Sequence, residues 1–150
     1  MTTTAFLQLR RALAAHLAVA LAPVTVYQNR VRPLAQGEAS AVNVRLSDAS
    51  GTTPVIEATD WNTILYIDCA ARGANADDDA DALLNAVFSS LSAFATSPAA
   101  QDASVLEVIR EPVIDWDRVS EDTPYTCASL RITAVHRTPA GSLQPWGAAP

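Results

Sequence analysis

The chain has 150 residues, 49% of them hydrophobic and 17% charged, with a formal net charge of -6. That length suits one domain with a sizeable core, and the low charge excludes wholesale disorder. The acidic balance argues against a general nucleic-acid binder, which would present a basic face.

All 10 basic residues are arginine, and much of the hydrophobic fraction is alanine, so large core side chains are scarcer than the percentage implies. The charge is polarised along the chain. Residues 1–50 hold five arginines against Glu38 and Asp48, and residues 51–150 hold five arginines against fourteen acids. This asymmetry fits either head-to-tail contacts between copies or an unevenly sampled solvated surface.

Thr3 to Leu21 has the pattern of an amphipathic helix, with Phe6, Leu9, Leu13, Leu17 and Leu21 on one stripe. A threonine run offers N-caps and Pro23 stops the helix. Arg10 and Arg11 interrupt this apolar stretch, so it is read as neither a signal sequence nor a membrane span. The period changes to two over Val24 to Val31, a strand, followed by an Arg32-Pro33 break and a small-residue loop.

Ala41 to Leu46 is a second strand, with Val42, Val44 and Leu46 on one face and Asn43 and Arg45 on the other. Ser47 to Asp60 is expected as a hairpin connection or flexible arm. Trp61 to Ala71 is nearly continuously apolar, as in a central strand.

Gly73 to Asp81 breaks the pattern, and Ala82 to Ala95 is then helical, with the Asp77–Asp81 acids at its positive end. Ser97 to Ser104 is expected as a linker. Val105 to Asp117 and Tyr125 to Thr138 are two further strands, and residues 139–150 an extended C-terminal tail. The expected fold is one two-layer α+β domain over residues 1–138. It has a mostly antiparallel sheet of four to five strands flanked by two helices.

No pattern for catalysis, cofactor binding or metal binding emerges. The Asp77–Asp81 run lacks the glycine and closing glutamate of a calcium loop. The chain has no GxGxxG or phosphate-loop pattern. Cys69 and Cys127 lie in apolar strands without CxxC spacing and read as buried free thiols. His16 and His136 stand outside any ligand or triad spacing and are expected to be ordinary surface or half-buried histidines. Asp115 and Asp117 share a strand face at roughly 7 Å, a spacing compatible with a carboxylate pair, but nothing implies a cleft around them. Trp61 and Trp116, at strand ends, suit peripheral core packing or an interface anchor equally. Trp146, in the tail, is expected to dock on a partner or a neighbouring subunit.

The order of segments resembles a known family. An N-terminal helix precedes the Val24-Thr25-Val26-Tyr27 strand and the Arg32-Pro33-Leu34 break. Then come Val42-Asn43-Val44-Arg45-Leu46 and a Trp-led strand ending in Asp68-Cys69-Ala70-Ala71-Arg72. An acidic helix start with Ala82-Leu83-Leu84 follows, and the last strand closes with Thr133-Ala134-Val135-His136-Arg137-Thr138. This resembles the tail terminator proteins of long-tailed bacteriophages, the family of the phage lambda minor tail protein U, with relatives in gene transfer particles.

The resemblance implies a non-enzymatic virion protein, assembled in the host cytoplasm, with neither cofactor nor membrane. It implies a homohexameric ring capping the head-proximal end of the tail, with the major tail tube protein on one face. The head–tail connector would meet the other face, and DNA would pass through the lumen without specific binding. A different neck protein, a connector or tail completion protein, is the alternative. Candidate ring-interface residues are Arg30, Arg32, Arg45, Trp61, Asp115, Trp116, Asp117, Glu121, Asp122 and Trp146.

Overall fold

The computed structural model describes residues 2–119 and 122–147. Helix α1 (Ala5–Ala20) is capped by Thr4, whose hydroxyl accepts the Leu7 N–H at 3.4 Å, and it ends at Leu21 ahead of Pro23. Its buried face is Ala5, Leu9, Leu13, Ala14 and Leu17, the stripe the sequence marks. Each fully buried leucine contributes about 2 kcal/mol of hydrophobic stabilisation.

Strand β1 (Thr25–Gln28) lies parallel to the start of β2 (Ser40–Val55), from Thr25↔Ala41 to Gln28↔Val44. Parallel pairing needs a crossover, which the loop after Gln28 supplies. Strand β3 (Ala58–Arg72) pairs antiparallel with β2 along its length. Of the two expectations for Ser47–Asp60, the structure shows the hairpin: it is strand on both sides of a tight turn, with register shifts after Leu46 and Thr52. Serines, threonines and Gly51 hide a strand whose side chains from Ser47 to Val55 are all exposed, because no apolar alternation is required there.

Helix α2 (Ala76–Ala95) begins at Ala76 and not at Ala82. Its first core positions are Ala76 and Ala80, too small to register as an apolar stripe. Asp77, Asp78 and Asp79 therefore occupy its first turn, where the helix dipole favours them. The expected linker contains a short helix, α3 (Pro98–Asp102), capped by Ser97, whose Oγ accepts the Ala100 N–H at 3.2 Å.

The expected strand from Val105 to Asp117 is two strands, β4 (Val105–Glu107) and β5 (Val113–Val119). Between them Glu111 adopts a φ of 51° and Pro112 lacks a backbone donor, so the ladder cannot continue. Both pair with β6 (Tyr125–Pro139), β4 beside Val135 and His136 and β5 beside residues 125–131.

The six-stranded sheet runs β1-β2-β3-β6-β4, with β5 also on β6. All its pairings are antiparallel except β1 with β2. Helices α1 and α2 cover one face, packing Leu13, Leu17, Val87 and Leu91 on Val44, Leu65, Ile67, Leu130 and Ile132. The fold is the expected two-layer α+β architecture. Through Gly147 the C-terminal segment folds back on the domain: Leu143 O accepts the Ala5 N–H at 2.7 Å, and Trp146 N–H donates to Arg137 O at 3.2 Å. No helix is long and apolar enough to cross a membrane among the described residues.

Candidate functional site

Because both long helices lie on one face, the alternate residues of every strand project onto a second face without a helical layer. Register places Asn43, Asp68, Ser129 and Asp115 in one row across β2, β3, β6 and β5. Arg45, Tyr66, Arg131 and Val113 form the next row. This face is polar where the opposite face is aliphatic.

Asp68 is its centre. Only 3% of the residue is exposed, and its carboxylate accepts from Arg45 Nε at 2.8 Å, a second Arg45 nitrogen at 3.2 Å, Ser129 Oγ at 2.7 Å and Asn43 Nδ2 at 3.4 Å. A carboxylate buried to this degree must be paired and fully hydrogen-bonded, and this one is. The Arg45 guanidinium also lies 4.4 Å over the Tyr66 ring.

Asn43 does a second job. Its side chain accepts the Arg30 N–H at 3.0 Å and donates to Arg30 O at 2.9 Å, fixing the β1–β2 loop over the sheet. The Arg30 guanidinium stacks on Tyr27 at 3.7 Å, and Leu34 closes a small apolar cluster with Ala41, Ala70 and Cys127. Tyr27 donates to Glu38, which also accepts the Ala35 N–H; the Tyr27 bond, then the backbone bond, hold the Glu38 carboxyl below its ordinary pKa. Between this loop and the ends of β5 and β6 is an open cleft of about 850 Å³, bordered by Arg30, Arg32, Arg72, Asp117 and Tyr125.

The candidate interface residues divide between places. Arg30, Arg32, Arg45 and Asp117 meet around this cleft, and Asp115 lies on the same face beside Ser129. Strand alternation puts Trp116 on the other face, 39% exposed at the sheet margin with Arg118 5.5 Å from its ring. Trp61 is engaged internally: its Nε1–H donates to Thr138 at 3.0 Å and its ring meets Phe6 edge-on at 5.1 Å. Trp146 is 44% exposed, 5.9 Å from the Arg137 guanidinium. Asp122 is exposed between β5 and β6, and Glu121 lies outside the described residues.

His136 is not the surface or half-buried histidine its sequence context implies. It is fully buried, with Nε2 2.7 Å from the Thr63 hydroxyl, Nδ1 unpartnered, and Phe6 edge-on at 4.9 Å. Burial lowers its pKa from 6.5 to about 4, so it is neutral at physiological pH. Among the described residues no ionisable group is hydrogen-bonded to it. His16 donates from Nε2 to Ser90 O at 3.1 Å and ties α1 to α2. Cys69 and Cys127 are free and buried, and desolvation raises both thiol pKa values. Among the described residues no three His, Cys, Asp or Glu side chains are grouped to hold a metal ion.

The sequence reading missed Asn43 and Asp68 as organisers of this face. Their signal is a polar side chain at alternate positions of two otherwise apolar strands. It also missed the margin where Phe88 of α2 and Ile114 of β5 are 40% and 44% exposed.

No family model matches the chain, and no curated protein matches it. Among solved structures it is similar to a chain described as "Virion of native gene transfer agent (GTA) particle". The two are 16% identical over 88% of this chain and 92% of that chain, with a TM-score of 0.43. A likeness of that degree carries no argument about role. What the fold and site define is a class: a two-layer α+β domain with one aliphatic sheet face under helices and one charged face largely open.

Proposed function

We propose that this chain is a structural protein of a phage-like virion, and within that class a tail terminator. In this reading copies close into a homohexameric ring at the head-proximal end of the tail tube. The ring ends tube growth and offers the surface on which the head–tail connector docks. The reading assigns no catalysis and no cofactor.

The observation that carries it is the ordered resemblance of segments across residues 3–138, from the N-terminal helix to the Thr133–Thr138 strand end. Two physical features accord with it. The open sheet face and the apolar margin at Phe88, Ile114 and Trp116 leave the isolated domain with surfaces suited to contact. A subunit of net charge -6 repeated around a channel repels phosphates, so DNA slides through without being held.

Deletion of the gene from a particle-producing strain tests the reading. The expected outcome is heads without joined tails, together with tails of irregular length. Normal infectious or transducing particles from the deletion overturn it. If tails are of normal length yet unjoined, the role is that of another neck protein, a connector or completion protein.

A further inference from the structure

The β1–β2 loop and the α2–β5 margin have complementary surfaces. In the loop, Val31 is fully exposed between Arg30 and Arg32, and Arg32 is exposed as well. An apolar side chain between two cations is a poor surface in water and a good plug for a groove lined by apolar and acidic side chains. Such a groove lies between α2 and β5. It has a volume of about 460 Å³ and is lined by Leu84, Phe88 and Ile114 together with Asp78 and Asp81.

Asp78 and Asp81 form no ion pair among the described residues, and neither does Arg32. The groove and the plug therefore each carry unpaired charge of opposite sign.

The loop cannot fill this groove within its own chain. It lies over the open face, facing Asp117 and Val119 of β5 across the cleft, whereas the groove is on the helical face beside Ile114. Plug and groove are thus different patches on opposite faces of one sheet. A contact between them is heterologous, and repeated head to tail it closes a ring or extends a filament.

We propose that the Arg30-Val31-Arg32 loop of one copy seats in the α2–β5 groove of the next, with Val31 on Phe88 and Ile114 and Arg32 against Asp78 and Asp81. The proposal rests on the ring reading above and names the contact that builds the ring. It accounts for the polarity of charge along the chain: the basic first third supplies the plug, and the acidic remainder supplies the socket.

Disulfide trapping tests it with the full-length protein. The variants Arg32→Cys and Asp81→Cys are mixed at high concentration and oxidised, alongside a control mixture of Arg32→Cys with Asp48→Cys. The native cysteines are buried and contribute only a background common to both mixtures. The expected result is a cross-linked dimer in the first mixture that is lost in the control. Equal trapping in the two mixtures, or none in either, overturns the contact.

Charge exchange gives a second readout in assembling particles. Arg32→Glu alone is expected to lower the yield of joined particles about tenfold or more, because like charges then face each other. The double variant Arg32→Glu/Asp81→Arg is expected to restore it. Failure of both single-variant loss and double-variant rescue, in a strain whose deletion still leaves tails unjoined, rejects this contact and leaves the tail-terminator reading standing. Normal particles from the deletion reject that reading instead.

Discussion

Asp68 and Arg45 sit on neighbouring strands of the open sheet face, joined by two hydrogen bonds of 2.8 and 3.2 Å. The pair is one-sided in burial: the aspartate side chain is 5% exposed and the arginine 38%. Removing the buried member therefore frees an arginine that water can solvate, whereas removing the arginine strands a carboxylate that water reaches poorly. Asp68→Ala also takes an acceptor from Ser129 and Asn43. We expect it to cost about 2 kcal/mol, below the full value for a buried pair because Arg45 is partly solvated. Arg45→Ala is expected to cost at least as much, and Asp68→Asn less than either. Chemical denaturation of the three variants at neutral pH checks the ranking.

Trp61 and Gly51 are cross-strand partners, and the indole covers the glycine. A Cβ at Gly51 would lie 3.1 Å from Trp61 Cζ3 and 3.1 Å from Thr59 Cγ2, tighter than ordinary contact. Gly51→Val is expected to destabilise by about 1–3 kcal/mol by displacing the ring. Because Trp61 also anchors Phe6 and Thr138, its displacement should change the near-ultraviolet circular dichroism. An unchanged spectrum with unchanged stability would show that the indole does not rest there.

His136 makes stability depend on pH in a defined direction. The folded-state pKa of about 4 lies below the ordinary value of 6.5, so between these values the unfolded chain takes up a proton that the folded chain refuses. The contribution is complete above pH 6.5 and declines as pH falls to about 4, a total on the order of 3 kcal/mol. His136→Leu should flatten that decline, at the cost of an unpaired Thr63 hydroxyl. Denaturant midpoints of both proteins at about pH 7 and pH 4.5 test this, since every other group is common to both.

Cys69 and Cys127 are buried with their thiol pKa values raised by desolvation, Cys69 above Cys127 in burial. Neither is expected to react with a thiol reagent in the native protein at neutral pH, and both should react in denaturant. Rapid native labelling of Cys127 would reveal opening of the β1–β2 loop, because Leu34 belongs to the same apolar cluster.

Much of this architecture was legible from side-chain periodicity. The Leu9–Leu13–Leu17 stripe, the alternation of Val42, Val44 and Leu46, and the apolar run through Ile67 each report burial directly. Elements built from small or polar residues were not legible. Ala76 and Ala80 start α2, and Ser47 to Val55 continue β2, with no large apolar side chain to set a period before Val55. The break at Glu111 and Pro112 was visible as a proline but not as the division of one expected strand into two.

The candidate site was legible residue by residue and not as a place. The sequence by itself determined that Asp115 and Asp117 share a face, that Arg45 opposes the core, and that charge is polarised, because each follows from strand alternation or counting. Only the tertiary structure decided which of these residues meet. Sheet order sets β1 and β5 at opposite margins, helix placement leaves one face open, and long-range pairing buries His136 against Thr63 and Phe6. These are non-local facts: burial depends on what packs above a residue, and no local period in the chain encodes that neighbour.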